Sequence, residues 1–122
     1  MITNQPWFSS YPTEVPHHLS YDRYGSLLDL LDESFEIHRS RPAYWCMGKH
    51  FSYEAIDLAS KQLASYLQSL GLSKGARVAI MLPNIPQYPM ALYGVLRAGF
   101  IVVSINPLYT PRELAAQLRD CG

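Results

Sequence analysis

Polar side chains that could contact a ligand follow the two most apolar segments of this sequence. Asn84 ends "VAIMLPN", while Ser104, Asn106 and Tyr109 lie in "FIVVSINPLYT". Open α/β sheets bind ligands beyond the carboxyl ends of their strands, so these positions are candidates for ligand contact. Asparagine also fixes turns by bonding to backbone, and we favour that role for both asparagines. Tyr109 fits either role.

Ser104 is the one residue whose position would suit a nucleophile. A serine hydroxyl needs a general base within hydrogen-bond reach before it can attack a substrate. No histidine lies near Ser104 in the sequence. Covalent catalysis by this serine is therefore disfavoured, although a base brought close by folding would restore the hypothesis.

The four histidines do not form a metal-binding pattern. His17 and His18 are adjacent, so in an extended arm their side chains should point to opposite sides. No Cys, Asp or Glu cluster joins them, as a metal site would require. His38 stands near a predicted helix end and His50 in a predicted hairpin, where dipole or solvent contacts account for them. The sequence predicts no metal site.

Glycine spacing in "GVLRAGFI" imitates a phosphate-binding loop. Such a loop continues with Lys and then Ser or Thr, where this chain has Phe100 and Ile101. We expect Gly94 to lie inside a helix and Gly99 to end it, and Lys74 in "GLSKG" to be solvated. No dinucleotide fingerprint is present. The sequence thus predicts no catalytic, cofactor-binding or metal-binding residue.

Composition narrows the classes of protein that remain. The chain has 122 residues, 48% of them hydrophobic, which is enough to bury a core. Ten basic residues balance ten acidic ones, so a nucleic-acid partner is not expected. No apolar run approaches the roughly 18 residues of a membrane span. The N-terminus lacks a secretory pattern, so a cytoplasmic location is the default and Cys46 and Cys121 should be free thiols.

The first half of the chain predicts an arm, a helix, a hairpin and a second helix. Residues 1–25 are rich in proline and aromatics and should form an extended arm. Ser26 and Asp29 form a capping pair before a helix over residues 27–38. The hairpin should turn at Gly48-Lys49. A longer helix should follow Ser52 and stop at Gly71, with an apolar stripe of Tyr53, Ile56, Leu63, Leu67 and Leu70.

The second half predicts a βαβ unit. Residues 75–84 and 100–106 read as strands covered on both faces, joined by a helix that opens at Pro86 and closes at Gly99. Thr110 and Glu113 in "TPRE" predict a capped helix over residues 111–119. That helix makes a second crossover with no strand to follow it. We therefore expect an incomplete α/β subdomain over residues 26–122, with a partial parallel sheet whose edges are open.

The segment "LPNIPQYPMALYGVLRAGFIVVSINPLYTPREL" closely resembles the N-terminal part of the adenylate-forming, AMP-binding enzymes, in particular long-chain fatty acid-CoA ligases. The arm "PWFSSYPTEVPHHLSYDRYGSLLDLLDES" and the segment "SYEAIDLASKQLASYLQSLGLSKGARVAIMLPN" resemble the same ligases. Family members often have aspartate where this chain has Ala76, in a turn. The resemblance covers essentially the whole chain.

The resemblance implies a ligase that joins a fatty acid to coenzyme A through an acyl-adenylate, releasing pyrophosphate and AMP. ATP, Mg²⁺ and coenzyme A are implied for the full-length enzyme, and none is expected to bind residues 1–122. In the family the phosphate loop, the adenine and ribose contacts and the catalytic lysine come later in the chain. This segment would be an inactive scaffold whose partner is the remainder of the ligase. The resemblance implies a cytoplasmic enzyme with peripheral association at the inner face of the membrane, although no amphipathic basic helix in this sequence would provide that association.

A rival hypothesis comes from the open sheet edge. An uncovered edge and apolar face would pair readily with another chain or with a second copy. The chain would then be a free-standing interaction or dimerisation module without catalytic activity. Recovery of ligase activity with the missing remainder would distinguish the two hypotheses.

Overall fold

The computed structural model describes residues 5–18 and 22–122 of the chain. After a 3-10 helix at Pro6–Ser10, the elements follow in the order α1, β1, β2, α2, β3, α3, β4 and α4. Their bounds are α1 Leu27–Ile37, β1 Pro42–Cys46, β2 Lys49–Ser52, α2 Tyr53–Ser69, β3 Arg77–Ile80, α3 Gln87–Arg97, β4 Ile101–Ser104 and α4 Pro111–Asp120. The α/β class and the predicted element order are confirmed.

Local hydrogen bonds start the helices where the sequence predicts. The side chain of Ser52 accepts a hydrogen bond from the backbone N–H of Ala55 at 3.1 Å, satisfying a donor of the first turn of α2. Ser26 does the same for α1. In α4, Thr110 and Glu113 form the complete reciprocal capping box.

The β1–β2 hairpin turns one residue earlier than the sequence predicted. Its loop is Met47-Gly48, with φ of 49° and 79°. Positive φ at both loop residues is the signature of a type I′ turn, which matches the twist of a hairpin. The predicted loop at Gly48-Lys49 is therefore wrong: glycine occupies the second loop position, and Lys49 begins β2.

The βαβ unit supplies the second, parallel pair of strands. Register runs from Arg77 opposite Ile101 to Ile80 opposite Ser104. Helix α3 makes the crossover and packs extensively against α2. The core lies between these helices and one face of the sheet, and its buried members are Ala64, Leu67, Ile80, Val95, Ala98 and Phe100.

Helix α2 approaches α3 closely at Gly94. A Cβ added there would lie 2.9 Å from Cδ2 of Leu63 and 3.0 Å from its Cβ. The absence of a side chain therefore lets the two helices touch.

The apolar stripe predicted for α2 is only partly right. Its C-terminal member, Leu70, is exposed, whereas Ser60 is fully buried on the same helix.

The second face of the β3–β4 sheet is open within the described residues. Ala79 and Met81 are exposed, and Ile101 retains 48% of its accessible surface. The apolar runs of β3 and β4 are typical of strands covered on both faces, but the uncovered apolar face that we expected of an incomplete sheet is observed, because α2 and α3 lie on one face only. Parallel sheets are normally buried on both sides, so this face lacks a covering layer.

The predicted extended arm is partly helical. The 3-10 helix begins at Pro6, and no periodic spacing of apolar residues in the sequence predicts it. The described arm residues cluster on themselves: Phe8 contacts Trp7, Tyr11 and His17. Among the described residues, no helix is both long and apolar enough to cross a membrane.

Candidate functional site

The hydroxyl of Ser104 is paired with a phenol. The Ser104 Oγ and the Tyr88 hydroxyl lie 2.7 Å apart, which joins the end of β4 to the first turn of α3. The Ser104 carbonyl accepts a hydrogen bond from Gln117 Nε2 at 2.9 Å. Ser104 thus ties together β4, α3 and α4. This arrangement gives the serine a structural role and provides no histidine base for nucleophilic attack.

Asn106 fixes the loop after β4. Its Oδ1 accepts a hydrogen bond from the Leu108 backbone N–H at 3.0 Å, forming an Asx turn. The favoured turn role is therefore confirmed for Asn106. Asn84 is exposed in the loop after β3, and its turn role stays a prediction. Tyr109 lies beside α4, and its backbone N–H bonds to the Asn106 carbonyl at 3.1 Å.

The histidines pack against aromatic rings. His17 stacks on Phe8 with ring centroids 4.4 Å apart, and His18 meets the same ring edge-on. The expectation that these two side chains point to opposite sides is wrong, because the chain bends here instead of running extended. His38 packs on Tyr53, and His50 stacks on Trp45. The residues that the structure describes contain no cluster of three or more His, Cys, Asp or Glu suited to a metal ion.

The glycines of "GVLRAGFI" occupy the predicted places. Gly94 lies inside α3, and Gly99, at φ 81°, follows its C-terminus. A phosphate loop would need these glycines between a strand and the start of a helix. The phosphate-loop hypothesis is therefore excluded for this segment. Lys74 is exposed, in accordance with a solvated side chain.

An ionic cluster around Arg97 joins three helices. Arg97 Nη2 donates to Asp32 Oδ1 at 2.6 Å and to Asp57 Oδ1 at 2.8 Å, while Nε donates to Ser60 Oγ at 3.0 Å. The Arg97 side chain is 12% exposed. Lys61 Nζ holds the other oxygen of Asp57 at 2.6 Å. The Arg97 cluster therefore braces α1 and α2 against α3.

Sequence reasoning missed the Arg97 cluster. Its partners lie 40 and 65 residues from Arg97 along the chain, and no local pattern connects them. The one available signal was Arg97 and Ser60 interrupting otherwise apolar helix faces. The two aspartates of the cluster are already paired with positively charged side chains, so the cluster is not a free ligand site.

A groove of about 370 Å³ separates the β1 end of the hairpin from the N-terminal half of α3. We call it the aromatic groove. None of its lining residues is charged; they are Tyr44, Trp45, Cys46, Asn84, Ile85, Pro86, Tyr88, Pro89, Leu92 and Tyr93. Burial raises the pKa of Tyr93 to about 12, and its hydrogen bond with Tyr44 acts in the same direction. The Tyr93 phenol is thus neutral at physiological pH.

Comparison with known proteins gives one consistent result. The family model described as "AMP-binding enzyme" matches residues 31–122. The chain is 50% identical over 117 residues to the long-chain-fatty-acid-CoA ligase of Escherichia coli O6:H1, covering 95% of this chain and 21% of that ligase. It is 43% identical over 120 residues to the ligase of the same name in Bacillus subtilis, covering 98% of this chain and 21% of the ligase.

The fold also matches a solved structure. The N-terminal subdomain of Klebsiella oxytoca NpsA superposes with a TM-score of 0.73 at 23% identity, over 77% of this chain and 24% of that one. The chain therefore spans about one fifth of the length of the curated ligases and about a quarter of this solved subdomain. Since the family model covers most of its residues, the chain belongs to the AMP-binding enzyme family.

Proposed function

We propose that this chain is the N-terminal scaffold portion of an ATP-dependent long-chain fatty acid-CoA ligase. The observation that carries the proposal is the 50% identity over 95% of the chain to a long-chain-fatty-acid-CoA ligase. The whole enzyme would convert a fatty acid, ATP and coenzyme A into acyl-CoA, AMP and pyrophosphate through an acyl-adenylate. Residues 1–122 alone would be inactive.

The pairing of two neighbouring carboxylates supports the proposal that ATP and Mg²⁺ are held by residues outside this chain. The neighbouring carboxylates of Asp32 and Asp57 share the Arg97 guanidinium, and Asp57 also binds Lys61, so neither is free to coordinate a cation. The glycines that imitate a phosphate loop lie in and after α3. On this proposal, the chemistry of the ligase would belong to residues outside this chain.

This segment would have a structural role in the ligase. The α2–α3 pair covers one face of the β3–β4 sheet, and the other face presents Ala79, Met81 and Ile101. A parallel sheet needs both faces covered, so an apolar layer from the remaining ligase chain would complete it. The segment would then support the larger sheet without touching the reacting atoms.

A chimeric enzyme tests the proposal. The 122-residue chain replaces the matching segment of the E. coli ligase, and acyl-CoA formation from oleate is measured. We expect the chimera to be active and the isolated chain to be inactive. An Ile101→Lys chimera should lose most activity, while Leu58→Lys, at an exposed leucine of α2, should not. A folded but inactive chimera would contradict the proposal.

The open sheet also supports the second candidate, a dimerisation module. Within the described residues, β3 and β4 pair only with each other, which leaves an unpaired edge on each strand. Light scattering of the isolated chain over a concentration series tests this candidate. A dimer that Ile101→Lys dissociates would favour it, whereas a monomer at all concentrations would exclude it.

A further inference from the structure

We infer that the aromatic groove is an internal docking surface of the ligase, filled by an uncharged apolar segment of the ligase chain outside residues 1–122. This inference rests on the proposed function. It names a contact separate from the open face of the β3–β4 sheet, because the groove lies between the hairpin and α3.

The composition of the groove matches the centre of a protein interface. Such centres are enriched in aromatic residues and depleted of charge. The groove contributes Tyr44, Trp45, Tyr88 and Tyr93 and no charged side chain. A charged or strongly polar occupant would lose its hydration here without gaining an ion pair, so the occupant must be apolar.

The rim of the groove indicates a polypeptide occupant more than a small molecule. Small-molecule sites enclose most of the ligand surface. Here Trp45 is 71% exposed, and its ring stacks on His50 of the neighbouring strand β2. At the hairpin tip, Met47 projects into solvent. A large aromatic held at a rim suits a partner that lies across it and buries it.

The same polypeptide chain is the best-supported occupant. The curated ligases are nearly five times as long as the segment that this chain matches, which covers 21% of their length. Even the NpsA N-terminal subdomain carries most of its chain outside the matched region. The described aromatic rings of the arm contact one another and the nearby histidines, and none of the described arm residues lines the groove.

Residue-resolved oxidation tests the inference. Hydroxyl radicals oxidise exposed tryptophan and tyrosine, and mass spectrometry reads each site separately in the isolated chain and in the active chimera. If Trp45 falls from 71% exposure to below about 10%, its oxidation should slow about sevenfold in the chimera, as for a residue buried at an interface centre. Tyr66, an exposed tyrosine of α2, is the internal control and should be oxidised equally in both proteins.

A substitution pair supplies the second measurement. Trp45→Lys should lower chimera activity about tenfold, as expected for loss of an aromatic anchor. Leu58→Lys changes an exposed leucine elsewhere and should leave activity unchanged. Both variants should unfold like the parent when made in the isolated chain.

The outcomes separate this inference from the proposed function. An active chimera in which Trp45 is oxidised as fast as in the isolated chain would overturn the groove inference and leave the ligase proposal standing. A folded, inactive chimera with Trp45 exposed would contradict both. Shielding of Trp45 that appears in the isolated chain at high concentration would identify a second copy as the occupant and overturn the inference.

Discussion

Replacing Arg97 by methionine should destabilise the isolated chain by about 2 to 3 kcal/mol. Methionine keeps an apolar stem of similar length beside Phe35, whose ring centroid lies 5.6 Å from the guanidinium carbon. It removes the charge and three hydrogen bonds. The change therefore isolates the electrostatic contribution of the Arg97 cluster from its packing.

The magnitude follows from the exposure of each partner. Asp32 is 55% exposed and regains water when the cation is lost, so its pair contributes about 0 to 1 kcal/mol. Asp57 is more buried and loses a charged hydrogen bond that contributes about 1.5 to 3 kcal/mol. The cost is reduced because Lys61 still pairs with Asp57. Ser60 loses one donor, about 1 kcal/mol. Relief from burying the arginine charge offsets part of this sum.

Urea denaturation followed by circular dichroism measures the change, provided that the m-value is constant. Arg112→Met, at an exposed arginine of α4, is the matched control and should stay within about 0.5 kcal/mol. A double-mutant cycle with Asp57→Asn should give a coupling energy of about 0.5 to 3 kcal/mol. If Arg97→Met proves neutral or stabilising, the desolvation cost of the guanidinium equals or exceeds its attraction to the two aspartates. The magnitude derived above would then be wrong.

Three smaller predictions concern the core, the last helix and alkaline pH. Leu67→Ala should cost about 2 to 5 kcal/mol because Leu67 is buried in the core, and a loss in urea titration below about 0.5 kcal/mol would contradict that placement. Thr110→Ala should cost about 1 kcal/mol through loss of the capping box, and an unchanged unfolding midpoint would mean that α4 is already frayed. The folded state holds the Tyr93 proton with a pKa of about 12 against the usual 10.0, so stability should fall as pH rises from 10 towards 12. Tyrosinate absorbance during alkaline titration should show a late-ionising group that Tyr93→Phe removes.

Local signals in the sequence predicted much of the fold. Ser52 and Thr110 allow the starts of their helices to be predicted, because a capping side chain bonds to backbone only two or three residues away. Gly71, at φ 71°, ends the longest helix for an equally local reason. Features that depend on a few neighbouring residues can therefore be predicted without knowledge of the tertiary fold.

The remaining features depend on packing over long sequence distances. Arg97 pairs with Asp32, which lies 65 residues away along the chain, and no pattern within either helix alone predicts this pair. Exposure of Ile101 depends on whether a further layer covers the sheet, which the apolar character of β4 cannot reveal. The hairpin loop was misplaced because Met47, a non-glycine residue, adopts positive φ beside Gly48.

The contact between Gly94 and Leu63 has a consequence for the evolution of the family. With 2.9 Å between a hypothetical Cβ at residue 94 and the leucine side chain, the two positions share a fixed volume. A larger residue at position 94 is compatible with the same helix separation only when position 63 becomes smaller. We therefore expect these two positions to vary together among relatives, so that an alignment alone would report the contact of α2 with α3.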